Sequence, residues 1–272
     1  MVFNGRRQKY RISHSASSPT PSFTTLTTAL ACAARSQYHY FTCDITSAFL
    51  YAALPNGVEL FCEIPEGHPA WSQRENMVLR INRNLYGLRE APLLWWSHLD
   101  RELRTHLRVQ PATFDECCYV GPDIILLCYV DDILVLGTPA QLEHARKKLR
   151  KLFKLTETSI NASVDFLGCT IERTPDANFL LHQNRYTRQI LETVRNTVKQ
   201  VTPLPTTVHR MLVDNRERAL SSQEATAYRR KLGELGFLRL TRADICHALG
   251  VLAQQNINPT ALSARLMQHT LA

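Results

Sequence analysis

Apolar and polar positions alternate along this chain with two different periods, and the switches between them mark out its elements. Residues 23–35, FTTLTTALACAAR, carry Leu and Ala at helical spacing after Ser22, a residue type that caps helix starts, so a helix is expected there behind a Ser/Pro-rich loop at 13–22. The β-branched and aromatic run 38–45, YHYFTCDI, predicts a strand ending near Asp44. A short Ser-Ala-Phe-Leu segment follows, and then Asn56-Gly57, a pair that suits a hairpin leading into a strand over 58–64. Residues 77–83 read as a further strand. Trp95, Leu99, Leu103 and Leu107 recur every fourth position behind Pro92 and predict an amphipathic helix over 91–107. Strands are expected at 117–121 and 124–136, a helix with a basic outer face at 139–154, and a strand at 164–172. Beyond Arg173 the pattern turns helical, over 185–199 and 223–255, with a Pro/Thr-rich joint at 202–207.

This order describes an α+β fold, a small antiparallel sheet with helices on one face, followed by a mainly helical region. With 272 residues, 44% of them hydrophobic, the chain can bury a substantial core. It has no uninterrupted apolar run of the ~18 residues that a membrane helix requires, and its first residues lack a signal-peptide core, so the sequence reads as soluble, intracellular and without a membrane partner. The eight cysteines are scattered, without the spacing of a zinc site, and read as reduced core residues. A net charge of +8 suits a polyanionic partner. Its basic residues crowd at 146–154 and at 229–242, where solvated helix faces would produce the same pattern.

One feature breaks the apolar pattern. In CYVDDILVLG, Asp131 and Asp132 interrupt a run that would otherwise be buried, and an ionised carboxylate is costly to bury without compensation. If 124–130 and 133–136 pair, both fall at the hairpin tip, either as an ordinary Asp-rich turn or as groups facing a cleft. Asp44 ends another strand. Were the two strands neighbours, the carboxylates would come within a few ångströms, and joint ionisation would be disfavoured unless cations sat between them. Hard divalent ions bind through one or two carboxylates plus substrate phosphates. A pair of them about 3.5–4 Å apart activates a 3′-hydroxyl and stabilises leaving pyrophosphate, which is nucleotidyl transfer.

CDITSAFL, LYGLREAPLLWW, YVDDILVLG and FLGCTIE, in that order, resemble the reverse transcriptase of copia-type retrotransposons. Further likenesses are SPTPSFTTL, the Pro65-Glu66-Gly67 turn, HQNRYTRQIL and YRRKLGELGFLRLTRADI, so the resemblance covers most of the chain. It implies a polymerase right-hand palm at 37–173, a partial fingers segment at 1–36, and a thumb/connection region at 174–272. It implies Asp44, Asp131 and Asp132 as the catalytic and metal-binding carboxylates, with the Ile45 carbonyl as a further ligand. The cofactor would be two Mg²⁺ ions, with Mn²⁺ as a possible substitute. Phe49 takes the place of the aromatic gate against ribonucleotides, or else is a core residue. Tyr86 and Gly87 match the nucleotide-side loop, Tyr129 and Val130 lie by the primer end, and Phe166, Leu167 and Gly168 match the primer grip. Trp95 and Trp96 are expected to pack their helix. Lys154 reads as a solvated lysine or as a proton donor to pyrophosphate. The partners would be a primed RNA or DNA template and deoxynucleoside triphosphates, in a cytoplasmic particle.

Three departures from the family pattern matter, and two of them bear on activity. The basic K-A-R strand that precedes MVFNGRRQ in the family is not in this sequence, with Arg6 or Arg7 as partial substitutes. A ribonuclease H region, which follows in family polyproteins, is likewise not in it. Glu90 replaces the usual Gln, weakening triphosphate binding if it faces the pocket and doing nothing if it faces solvent. The alternatives to an active reverse transcriptase are a relic that binds nucleic acid by charge alone, and a cyclase or DNA-templated polymerase on a similar palm.

Overall fold

The computed structural model describes residue 8, residues 17–194 and residues 199–272. Arg6, Arg7, the first part of the 13–22 loop and the end of the helix expected over 185–199 lie outside the described residues. The chain divides into two compact units, residues 1–167 with 171–180, and residues 168–170 with 181–272.

The first unit is built on a six-stranded antiparallel sheet. In chain order its strands are β1 (His39–Ile45), β4 (Gln110–Ala112), β5 (Asp115–Gly121), β6 (Ile124–Tyr129), β7 (Asp132–Gly137) and β8 (Leu155–Glu157), with spatial order β4-β5-β6-β7-β1-β8. Helices α2 (Ala91–Leu107) and α3 (Pro139–Leu152) bury Trp95, Leu99, Leu103, Leu142, Ala145 and Leu149 against Phe41, Cys43, Ile45, Ile133 and Val135 of one sheet face. Successive strand residues point to opposite faces, yet Leu134 and Leu136 on the other face are also fully buried. Burial on both faces is why 132–137 reads as one continuous apolar run instead of an alternation. A separate ribbon pairs β2 (Leu60–Glu63) with β3 (Val78–Ile81).

Helix α1 (Phe23–Arg35) begins where its cap predicts: Ser22 Oγ accepts the Thr25 N–H at 3.0 Å. The Asp115 carboxylate accepts the Ser22 N–H at 3.0 Å and also the Thr25 hydroxyl, clipping α1 to β5 and giving SPTPSFTTL a structural role.

The second unit is helical, with α4 (Asn184–Glu192), α5 (Val208–Val213), α6 (Ser222–Leu238), α7 (Cys246–Gln254) and α8 (Ala261–Leu271). They share a core that includes Tyr228, Leu235, Leu249, Leu252, Leu262 and Leu266. A three-stranded sheet, β9 (Val164–Phe166), β10 (Cys169–Arg173) and β11 (Phe179–His182), has the order β11-β10-β9.

Three expected elements differ. Gly57 does adopt φ +81° in its turn, but β2 pairs with β3 well downstream, so Asn56-Gly57 closes no hairpin. The strand expected over 164–172 is broken by Leu167 (φ +49°) and Gly168 (φ +74°), the two left-handed centres of a tight hairpin turn. The helix expected over 223–255 is two helices, because Arg242 leaves helical geometry (φ −118°, ψ 74°) and the chain restarts through a short 3-10 turn at Ala243–Ile245.

Candidate active site

Strands β1 and β7 are neighbours, in a register that sets Asp44 opposite Asp132. Facing residues of an antiparallel pair have Cβ atoms about 5 Å apart on the same side of the sheet. Strands β6 and β7 pair through Tyr129 and Asp132, so Val130 and Asp131 form a two-residue turn at the hairpin tip. The three acidic residues therefore meet at one end of the sheet, on strands that the sequence separates by more than eighty positions.

The turn is strained and anchored. Val130 has φ +57°, a region that a β-branched residue rarely enters. Its carbonyl accepts the indole N–H of Trp95 at 2.7 Å, and the carbonyl of Asp131 accepts the backbone N–H of Ile45 at 3.0 Å. Trp95 is 1% exposed, among the rings of Tyr51, His98 and Phe153.

Among the described residues no Lys, Arg or His forms an ion pair with Asp44, Asp131 or Asp132. Partial burial, then the charges of Asp131 and Asp44, push the Asp132 carboxyl up to about 6. Burial raises Asp131 as well, with Asp44 adding to it and a hydrogen bond from its own backbone opposing it. Asp131 and Asp132 are half-buried at the hairpin tip, and Asp44 is exposed. All donors are hard oxygens, the set that suits Mg²⁺. No three Asp, Glu, His or Cys side chains close into a metal cage among the described residues. Sites completed by substrate phosphates need no such cage, so these residues fit ions that arrive with a triphosphate.

Beside the carboxylates, the half-buried rings of Phe49 and Tyr86 pack at 4.6 Å between centroids. Phe49 also packs against two hydrophobic clusters. Burial raises the Tyr86 phenol, and the charges of Asp131 and Asp44 raise it further, which places Tyr86 within their field. Gly87 has φ +94°, a left-handed conformation that favours glycine. Buried Asn84 ties this loop down: its N–H donates to the Ala52 carbonyl at 3.1 Å and its amide to the Ala91 carbonyl at 2.9 Å.

The other expected residues are placed as follows. Tyr129 is 39% exposed, while Ile45 is buried. The Phe166 side chain is also buried, and the Gly168 carbonyl accepts the Gln183 amide at 3.4 Å. Trp95 packs α2 as expected and in addition holds the turn. Lys154 lies beyond the end of α3: its N–H donates to the Tyr51 hydroxyl at 2.7 Å and its carbonyl accepts the Thr46 N–H at 2.9 Å, while its side chain is exposed. Glu90 follows neither of its two readings, for it is 1% exposed and accepts a hydrogen bond from Gln8 at 2.8 Å. Tyr51 and β8 were not anticipated; the only local signal was a three-residue Leu-Thr-Glu alternation, too short to weigh.

Much of the basic charge is engaged within the fold. Arg146 donates to the Thr158 carbonyl at 2.7 Å and stacks on Phe41. Arg150 pairs with Glu157, and Lys147 with Glu143 at 3.5 Å. In the second unit, Arg229 donates to the Asn256 and Ile257 carbonyls, Arg230 and Lys231 pair with Glu234, Arg239 donates to the Gly236 carbonyl, and Arg242 pairs with Asp244. Among the described residues, the exposed side chains of Lys151 and Lys154 and the half-exposed one of Lys148 have no such partner.

The chain is similar to several known proteins. Residues 1–208 match the family model described as reverse transcriptase (RNA-dependent DNA polymerase). The chain is 29% identical over 256 residues to a retrovirus-related Pol polyprotein from transposon TNT 1-94 of Nicotiana tabacum, covering 89% of this chain and 19% of that protein. It is 32% identical over 227 residues to the corresponding polyprotein from transposon RE2 of Arabidopsis thaliana, covering 80% of this chain and 15% of that one. The chain thus spans less than a fifth of either relative. Among solved structures, a foamy viral protease-reverse transcriptase in complex with double-stranded DNA superposes with a TM-score of 0.50 at 16% identity, over 86% of this chain and 34% of that one, a likeness of fold. With 208 of its 272 residues matched by the family model and an antiparallel sheet that gathers three carboxylates at one end, the chain belongs to the reverse transcriptase family.

Proposed function

We propose that this chain is an RNA-directed DNA polymerase domain that extends a primer with deoxynucleoside triphosphates on an RNA or DNA template. The observation that carries the reading is the register of Asp44 against Asp132 with Asp131 in the adjoining turn, without a cationic partner among the described residues. Asp44 and Asp131 would hold two Mg²⁺ ions, or Mn²⁺ in their place, with Asp132 and the Ile45 carbonyl completing the set. When bound, such ions supply the charge stabilisation that phosphoryl transfer requires.

The chain's own residues then position the reactants. Phe49, packed on Tyr86, forms a floor under the incoming sugar and leaves no room for a ribose 2′-hydroxyl. Gly87 lets the backbone approach the nucleotide. Exposed Tyr129 and the Val130 backbone meet the primer end, and the tight turn at Leu167–Gly168 contributes its backbone to the primer, since Phe166 is buried. In this reading residues 37–173 act as palm, 174–272 as thumb and connection, and 1–36 as part of the fingers. The described helices include none long and apolar enough to cross a membrane.

The alternative of a relic held to nucleic acid by charge alone draws less support, because most of the 229–242 cluster is engaged in internal bonds. The test is primer extension on poly(rA)/oligo(dT) with Mg²⁺, beside the Asp131→Asn variant. Incorporation that disappears in the variant supports the reading; no incorporation by the unsubstituted chain, with duplex binding retained, favours the relic.

A further inference from the structure

Two adjacent tryptophans lie in the second turn of α2, and only one of them donates a hydrogen bond to the acidic hairpin. The Trp96 indole N–H is buried with no hydrogen-bond partner among the described residues. The Trp95 indole N–H, in contrast, meets the Val130 carbonyl at 2.7 Å. We propose that Trp95 is a positioning residue, which acts through the Val130 backbone to hold Asp131 in place opposite Asp44; this rests on the polymerase reading above.

A left-handed β-branched residue is strained and persists only where its surroundings over-determine it. Val130 is such a residue, at φ +57°. Two backbone anchors flank that strain. The Trp95 indole N–H holds the carbonyl before Asp131, and the Ile45 N–H holds the carbonyl of Asp131 itself. Repulsion from Asp44 works against this arrangement, since Asp44 stands opposite Asp132 on the neighbouring strand and its charge acts on Asp131. The indole can serve as a fixed point because it is itself immobilised, with the Phe153 ring edge-on at 5.6 Å and the Tyr51 ring at 6.4 Å. Tyr51 in turn receives the Lys154 N–H at the start of β8, which pairs with β1 beside Asp44. The aromatic cluster therefore grips both sides of the carboxylate set, the turn through Trp95 and the edge strand through Tyr51.

The decisive variant replaces Trp95 with 3-benzothienylalanine, which keeps the ring shape and exchanges the N–H for sulfur. Trp95→Phe removes the donor along with some packing, and Leu99→Ala loosens the same core without touching the turn. Hydrogen exchange of the Ile45 amide reports directly on the hold over Asp131. It is expected to speed up about tenfold in both Trp95 variants relative to the Leu126 amide, the change that follows from losing one buried hydrogen bond, but not in Leu99→Ala. In primer extension the same two variants are expected to lose about tenfold in kcat with the nucleotide KM within about twofold. Exchange of the Ile45 amide at the wild-type rate in the benzothienylalanine chain would overturn the proposal, leaving Trp95 a packing residue. A raised KM with unchanged kcat would also overturn it, marking a substrate contact instead. If the unsubstituted chain extends no primer, the polymerase reading fails, and the exchange measurement still decides whether Trp95 holds the turn.

Discussion

The acidic end of the sheet differs from the carboxylates of the helical unit, and also from those elsewhere in its own unit, where Glu157 pairs with Arg150 and Glu143 with Lys147. In the helical unit, carboxylates are matched with guanidinium groups. Arg218 beside Glu224 and its capping box holds that carboxyl far below its ordinary range, Arg265 lowers Glu217, and Arg242 lowers Asp244. In the sheet unit, Asp131 and Asp132 are raised by burial and by their acidic neighbours. A fold that pairs carboxylates in both units has the means to pair them at this end of the sheet as well. The contrast is what marks the acidic end of the sheet as a place where an external cation is expected, and it also means that many arginines in the helical unit serve structure before any phosphate.

The largest effect expected from this contrast is at Asp44. Asp44→Asn should lower primer extension by at least about a thousandfold, because a charge that acts at the reacting phosphate is removed. Its circular dichroism and unfolding midpoint should stay at or above those of the parent chain. An unfolded variant would show that the carboxylates support the fold, and the comparison would collapse. The next effect lies in the other unit. Gly168 has φ +74°, and a Cβ there would come within 2.4 Å of the Phe237 ring. That ring is 40% exposed and can swing aside, but only by leaving its edge-on packing with Tyr186. Gly168→Ala should therefore destabilise the helical unit by about 2 kcal/mol in urea unfolding, with most of the cost surviving as backbone strain in a Phe237→Ala background.

How much of this was legible in the sequence depended on whether a residue's role was local. The start of α1 follows from the Ser22 cap, and α2 from the four-residue repeat of Trp95, Leu99, Leu103 and Leu107. Two acidic residues inside an apolar run foretold the hairpin tip, since no other placement avoids a buried charge. Strands β4, β8 and β11 were missed because three or four residues carry no readable period, and their existence depends on the partner they pair with. Asn56-Gly57 predicted its turn correctly but not the partner of β2, which the distant β3 supplies. Glu90 shows the same limit: its environment comes from Gln8, more than eighty residues away, and nothing beside it in the sequence indicates burial. Likewise the Trp95 spacing says that the indole is buried, but not that its N–H finds Val130.

A smaller effect tests the raised carboxyl of Asp132. Its folded value of about 6 lies above the ordinary one near 4, so the folded state favours the protonated form. That contribution is fully present below about pH 4 and lost as the pH rises through about 6. In metal-free protein at pH 7.5, Asp132→Asn should thus be more stable than the parent by about 1 kcal/mol, a figure discounted because the group is partly exposed. The difference should shrink with acidification and disappear near pH 4. Urea unfolding in EDTA at a series of pH values reads it directly, and a gap that widens toward low pH would show that Asp132 is compensated after all.

The smallest expected effect bears on the cationic half of the comparison. If bonded arginines are unavailable to phosphate, Arg229→Ala and Arg230→Ala should leave the salt dependence of duplex binding unchanged, although the net charge falls in each case. Lys148 and Lys151 on α3 have no internal partner among the described residues, so each alanine variant there should lower the slope of log affinity against log salt by about one unit if that face follows the duplex. Each phosphate contact releases its own counterions, so the slope counts contacts and does not merely track charge. A uniform change across all four variants would mean that the arginines exchange their internal bonds for phosphate, at which point pairing within the fold would cease to separate structural charge from binding charge.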